Sequence, residues 1–219
     1  MSLNAQKIPA ATLQRLPVYL YRLQALQDQG VRRVSSRSLA AQLKIKSSRL
    51  RQDFHHLGGF SRPGQPYEVH HLVLRLREIL ALVAPVDYLI VGAGHLGQAI
   101  AAYSRFEDDG FRLVGIFDVN PKVVGLRFRD VQVQDVELLP AFVRARGLRM
   151  GVITVPPEAA QRVADLMVEA GITGIWNFAP VNLQVPDGVT LRDEFLSVGL
   201  MSLHYHMHIG NGGEDVSPA

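Results

Sequence analysis

Hydrophobic positions recur at helical spacing through the first eighty residues and in short buried runs after them. Leu13, Leu16, Leu20, Leu23 and Leu26 mark a first helix, with Pro17 in an early turn or at a kink, and Gly30 stops it. Ser35-Ser36 precede Leu39, Ala40 and Leu43 in a short capped helix, and Ser47-Ser48 cap another that carries Leu50, Phe54 and Leu57. The stretch from Gly58 to Val69 holds too much Gly and Pro for a helix and reads as a hairpin. A further helix, His70 to Leu82, turns Leu72, Leu76 and Leu80 inward, and Ala84-Pro85 is a linker that puts a domain boundary near residue 85. Helix, helix, turn, helix and hairpin make a winged helix-turn-helix domain over residues 1–84.

After the linker the period changes. Tyr88 to Val91 is a short apolar run suited to a buried parallel strand, and Gly92, Gly94 and Gly97 follow in G-x-G-x-x-G spacing before Leu96, Ala99, Ile100 and Tyr103 at helical period. A strand, a tight turn and a helix start of this kind bind a dinucleotide: Gly92 takes the turn, Gly94 lets a pyrophosphate approach, and Gly97 lets helix and strand pack closely. The helix N-terminus adds unpaired amides and a positive dipole end. A second apolar run, Phe111 to Phe117, ends in Asp118, 21 residues after Gly97. An acid there binds ribose hydroxyls and repels a 2′-phosphate, which favours NAD(H) over NADP(H); the bland alternative is that Asp118 only initiates the turn before Pro121.

Strand and helix then alternate. Val131 to Val133, Met150 to Val155 and Gly174 to Phe178 read as strands, and Val136 to Arg146 and Glu158 to Ala170 as helices. Such alternation implies a parallel sheet with right-handed crossovers over residues 85–192. Thr154-Val155-Pro156 and Asn177-Phe178-Ala179-Pro180 then fall at the same carboxyl edge as Gly94, with Pro156 and Phe178 as apolar walls or, for Phe178, core filling. The last helix, Glu194 to His208, is apolar around too much of its circumference to face water and is expected to be buried against another subunit. His204, His206 and His208 alternate at spacing two, which spreads them round the axis without converging on a metal. Residues 209–219 read as a disordered tail.

Charge sharpens this division. Residues 1–84 hold 13 Lys and Arg against 4 Asp and Glu, whereas the remainder hold 10 against 16. A basic first third beside an acidic remainder points to a polyanionic partner for the first domain. The helix from Ser47 to Leu57 would turn Ser48, Arg49, Arg51, Gln52 and His55 outward for base edges and phosphates, with Arg62 at the tip of the wing. The chain lacks cysteine, which excludes disulfides, thiolate nucleophiles and Cys-based metal sites. It shows neither an apolar run of about 18 residues nor a signal-peptide pattern, so the expected location is the cytoplasm.

In this order, Val34-Ser35-Ser36, Leu50-Arg51-Gln52-Asp53-Phe54, Gly64 to Tyr67, Val91 to Gly97, Phe117-Asp118-Val119, Ile153 to Pro156 and Asn177 to Pro180 resemble the Rex family of redox-sensing transcriptional repressors over about residues 8–208. The resemblance implies a homodimer that binds double-stranded operator DNA when NAD+ is bound and releases it when NADH is bound. It also implies that residues 193–208 form a domain-swapped helix inserted between the partner's two domains. Carried over, the cofactor site is Gly92, Ala93, Gly94, His95, Leu96, Gly97, Tyr103, Asp118 and Val119, with Thr154, Val155, Pro156, Asn177, Phe178, Ala179 and Pro180 on the nicotinamide side. The DNA face is Ser47, Ser48, Arg49, Arg51, Gln52, His55, Arg62 and Tyr67, and Asp53 matches a structural position. Departures include Gln52 for a basic residue, Pro66-Tyr67 for Gly-Tyr, and Arg62-Pro63 for Lys-Arg. Tyr21 stands where the family has an arginine and Phe195 where it has an aspartate, which suggests that an aromatic contact replaces a charged one.

A dehydrogenase would need a proton relay and a substrate domain, neither of which is evident, so no enzymatic activity is expected. A constitutive regulator holding a different nucleotide, such as a CoA-type ligand, in the same cradle is the first alternative, and an NAD-dependent dehydrogenase the second.

Overall fold

The computed structural model describes residues 8–58 and 65–210. The chain divides between Pro85 and Val86 into two compact units, each with its own core.

In the N-terminal unit the expected first helix is two: α1, Ala10–Leu13, and α2, Leu16–Asp28. Pro17 sits in the first turn of α2, where a missing N–H costs nothing, so the proline opens a helix instead of kinking one. A two-residue strand β1, Arg33–Val34, precedes α3, Ser36–Gln42, whose N-cap Ser35 accepts from the Ser38 amide at 3.0 Å. Helix α4 is Ser47–His56; its N-cap is Lys46, and no side chain caps it, contrary to the role expected of Ser47-Ser48. The turn between α3 and α4 passes through Lys44 at φ 54°, a left-handed conformation that a sequence without Gly there does not announce. Strand β2, Tyr67–Glu68, leads into α5, Val69–Ile79. Among the described residues, β2 pairs antiparallel with β1 (Val34 opposite Tyr67), which ties the start of α5 to the segment before α3. Residues 59–64, including Arg62, lie outside the described residues. Leu16, Leu23, Leu39, Leu50, Val69 and Leu76 are fully buried and form the middle of this core.

The second unit is a seven-stranded sheet in the order β5-β6-β4-β3-β7-β8-β9. Its strands are β3 Val86–Val91, β4 Phe111–Asp118, β5 Arg127–Phe128, β6 Val131–Asp135, β7 Met150–Ile153, β8 Gly174–Asn177 and β9 Thr190–Asp193. All pairs are parallel except that of β5 with β6. Without β5, the order is that of the doubly wound dinucleotide-binding fold, which reverses beside β3. Helices α6 His95–Ala102, α7 Arg105–Asp109, α8 Leu139–Arg146 and α9 Pro157–Ala170 cover the sheet. The stretch Val136–Leu138 before α8 is a 3₁₀ turn, shortening the helix expected from Val136.

Side-chain alternation sorts the core. Leu89, Val91, Phe117, Ile153 and Ile175 meet Val143, Ala160, Ala164 and Met167 on one side of the sheet. Tyr88, Ile90, Ile116, Val133 and Val152 meet Ile100 and Ala101 on the other. The chain ends in α10, Leu196–Gly210, which extends two residues into the expected tail; residues 211–219 lie outside the described residues. No helix among the described residues is long and apolar enough to cross a membrane.

Candidate functional site

The glycine turn joins β3 to α6 at the point where the strand order reverses. Gly92 is held at φ +105°, and a Cβ there would meet the Thr154 carbonyl oxygen at 2.7 Å. A Cβ on Gly97 would lie 1.9 Å from the Gly92 carbonyl oxygen, so helix and turn approach as only glycine allows. Gly94 is different: it is exposed, and a Cβ would meet nothing within 4 Å. That open space lies at the N-terminus of α6, which no side chain caps. The first-turn amides of a helix lack intrahelical partners, so the cradle can accept a phosphate.

Asp118, at the end of β4, fixes the other side of the cradle. Its Oδ2 accepts from the Ala93 amide at 2.6 Å and its Oδ1 from the Asn120 amide at 2.8 Å. The turn-initiating reading is therefore built in, and because a carboxylate has about four acceptor positions, two remain. Gln98, which sequence reasoning missed, braces the turn by donating to the Ala93 carbonyl at 2.7 Å.

The strand ends divide into residues that support the cradle and residues that face outward. Thr154 lies beneath the turn and donates its hydroxyl to the Gly92 carbonyl at 2.7 Å, a positioning role. Asn177 is fully buried: its Nδ2 donates toward the carbonyls of Ala179 and Val181 and to Asp193 Oδ1 at 2.8 Å, and its Oδ1 accepts from the Ala179 amide. It shapes the loop after β8 from inside. Val155 and Phe178 are half-buried, whereas Val119, Pro156 and Pro180 are exposed, as is His95; Leu96 is half-buried and Ala179 buried. Phe178 packs at a tilt on Trp176, with ring centroids 4.5 Å apart; Trp176 meets Phe106, and Phe106 meets Tyr103 at 4.9 Å. Tyr103 ends α6 and is half exposed, so this aromatic row runs from β8 to solvent.

On the N-terminal unit, Ser48, Arg49, Arg51, Gln52 and His55 all lie exposed on α4, and Ser47 is half-buried with its Oγ accepting from Arg51. Tyr67 does not join them. It is 6% exposed and its ring meets Phe54 edge-on at 5.1 Å, because its position opposite Val34 turns it into the core.

The inner face of α4 is anchored by a charge. Asp53, 1% exposed, accepts from Thr12 Oγ1, from Arg15 Nε and Nη2, and from Tyr19 Oη. Burial pushes the Asp53 carboxyl up, but the hydrogen bonds from Arg15, Tyr19 and Thr12 together outweigh it and hold the carboxyl below its ordinary value. The same bond holds the Arg15 proton more tightly. Tyr19 is pushed up to about 12, first by burial and then by Asp53. The sequence signal was an acid three residues after Leu50 and beside Phe54, on a face that should be apolar.

Helix α10 exposes Leu196, Val198, Leu200, Met201, Leu203, Tyr205 and Met207, each by more than half. At about 100° per residue, Leu196, Leu200, Leu203 and Met207 share one face and Val198, Met201 and Tyr205 the opposite one. Two apolar faces require two apolar neighbours.

Family comparisons agree with this division of the chain. The model described as "Putative DNA-binding protein N-terminus" matches residues 7–55, and that described as "CoA binding domain" matches residues 85–181. The chain is 42% identical over 202 residues to the redox-sensing transcriptional repressor Rex of Thermoanaerobacter pseudethanolicus, covering 92% of this chain and 90% of that protein. The chain belongs to the Rex family. A Rex of Clostridium tetani is 40% identical, covering 93% of this chain and 96% of that protein. Among solved structures, the Rex-family repressor RSP with β-NAD+ and operator DNA superposes with a TM-score of 0.85 at 42% identity, covering 92% of this chain and 93% of that one. RSP with β-NADH gives 0.83 at 40% identity, covering 93% and 95%. The Rex family is one of transcriptional repressors and not of enzymes.

Proposed function

We propose that this protein is a homodimeric transcriptional repressor that senses the NADH/NAD+ ratio, holding operator DNA in its oxidised, NAD+-bound form and releasing it with NADH. The observation that carries this reading is the cradle at Gly92–Gly97 with Asp118 locked against the Ala93 amide at 2.6 Å. The residues fit a dinucleotide: open space at Gly94, uncapped amides of α6 and spare acceptor positions on Asp118. The amides of α6 would hold the pyrophosphate and Asp118 the adenosine ribose, with a 2′-phosphate repelled. Pro156, Phe178, Pro180 and Tyr103 would flank the nicotinamide, Thr154 and Asn177 holding their loops from beneath.

NAD+ and NADH differ by a positive charge on the nicotinamide. A ligand shifts an equilibrium only by its differential affinity for two states, so the change at the nicotinamide ring must favour one dimer conformation over the other. In the DNA-bound state the two α4 helices would enter major grooves about 34 Å or a multiple apart, with Arg49, Arg51, Gln52 and His55 facing bases and phosphates and Arg62 in the wing. The opposed apolar faces of α10 suit a swapped helix lying between two surfaces of a partner. Residues 1–84, 85–192 and 193–208 are then the DNA-binding, cofactor-binding and dimerisation segments. A repressor that reads both DNA and the dinucleotide pool works in the cytoplasm.

The test is fluorescence anisotropy of a palindromic operator-like duplex with purified protein at fixed salt. NADH is titrated against constant excess NAD+. DNA release with a midpoint that follows the NADH/NAD+ ratio supports the reading. Tight DNA binding indifferent to NADH, with displacement by CoA, would move the protein to a regulator of another nucleotide.

A further inference from the structure

The last turns of α10 contain a histidine pair that the spacing of two conceals. His204 and His208 stand four residues apart, and their rings approach to 4.1 Å between centroids at an interplanar angle of 52°. Residues at i and i+4 share a helix face, so both imidazoles project from one side. Both are exposed. They lie with Ser197 in one polar seam between the two apolar faces of the helix, and His206 lies in the opposite seam.

The hydrogen bonding selects the nitrogen that a metal needs. His208 Nδ1 lies 3.0 Å from the His204 carbonyl oxygen. A carbonyl only accepts, so Nδ1 is the donor in this contact and Nε2 is the nitrogen left for a metal. A ring N–H donated to a backbone carbonyl is the arrangement that orients metal-bound histidine and raises its basicity. Terminal imidazole torsions are broad, and an ion held by both rings would lie about 2.0–2.1 Å from each nitrogen. His55-His56 and His70-His71 are adjacent in sequence, and neighbouring helix positions do not face each other; the His55 and His56 rings are 6.3 Å apart.

We propose that His204 and His208 form a bidentate site for a divalent transition metal of the Cu2+, Ni2+ and Zn2+ class. No group of three or more His, Cys, Asp or Glu side chains poised for a metal occurs among the described residues, so the remaining coordination positions belong to water or to a second molecule. The bound ion clips one helical turn of α10, the turn that carries Tyr205 and Met207. The site stands independently of the cofactor and DNA readings, since it needs only the helix.

The experiment is calorimetric titration of the tag-free, metal-stripped full chain with CuCl2, NiCl2 and ZnCl2. One ion per chain is expected, with Cu2+ bound more tightly than Ni2+ or Zn2+. His204→Gln and His208→Gln should each weaken binding by about tenfold or more, while His206→Gln changes it by less than about twofold. In the unaltered protein, substoichiometric Cu2+ should broaden the imidazole NMR signals of His204 and His208 before those of the other six histidines. That measurement decides the matter if a variant fails to fold. Absence of saturable binding, binding unchanged in His208→Gln, or broadening that begins at another histidine overturns the proposal.

Discussion

Arg15 Nη2 lies 2.6 Å from Asp53 Oδ1, tying the first residue before α2 to the inner face of α4 across 38 positions of sequence. The Asp53 side chain is 2% exposed and that of Arg15 27%, so removal of the acid leaves a cation that water only partly reaches. Asp53→Ala should lower the stability of the N-terminal unit by about 2–4 kcal/mol. Amide exchange in α4 measures this locally, and a loss under about 0.5 kcal/mol would mean that the network is ornamental.

The same network gives a pH dependence whose sign follows from its direction. The folded carboxyl of Asp53 is held below its ordinary value, so the unfolded chain binds a proton first as pH falls. The stability that Asp53 contributes is therefore complete above the ordinary carboxylate value of about 3.9 and is lost as pH falls through the lower folded value. Tyr19, pushed up to about 12, acts oppositely: its contribution is complete below about 10 and disappears as pH rises toward 12. Asp53→Asn should flatten the acid limb of a pH–stability curve for this unit, and an unchanged limb would reject the assignment.

Gly94 and Gly97 should respond to alanine in opposite ways. Gly97→Ala puts a methyl 1.9 Å from the Gly92 carbonyl oxygen and must displace the turn, so both thermal stability and NADH affinity should fall. Gly94→Ala meets nothing within 4 Å, so the fold should keep its melting temperature while the pyrophosphate loses its approach. A drop of about tenfold or more in NADH affinity without thermal loss is expected for Gly94→Ala. Equal NADH affinity would place the phosphate elsewhere.

Arg51 and Tyr67 separate DNA binding from folding. Arg49→Ala or Arg51→Ala should weaken operator binding and, for each phosphate no longer neutralised, reduce the slope of log affinity against log salt by about 1. Tyr67→Ala removes a buried ring from Phe54 and should cost about 3–5 kcal/mol of stability. A salt slope unchanged in both arginine variants would direct attention away from α4.

Leu203 is 57% exposed on α10 and shares a face with Leu196, Leu200 and Met207. Leu203→Glu should leave the second unit folded and shift the protein from dimer to monomer in sedimentation, because a carboxylate cannot be buried unpaired between subunits. A stable dimer of this variant would remove α10 from the interface.

What the sequence determined by itself was local. The 3.6-residue period and the short apolar runs gave α2 to α5 and the strands β3, β4, β6, β7 and β8, though not the edge strand β9, and the spacing of Gly92, Gly94 and Gly97 with Asp118 located the cradle. These signals lie within one element or one turn, where the backbone imposes its own geometry. The tertiary structure alone decided which polar groups meet. Thr12, Arg15 and Tyr19 converge on Asp53 from 34 to 41 residues away, Thr154 reaches Gly92 across 62, and Tyr67 is drawn inward because β2 pairs with β1, which places it opposite Val34. Such partners are chosen by packing of distant segments, and a periodicity read along one segment carries no record of them.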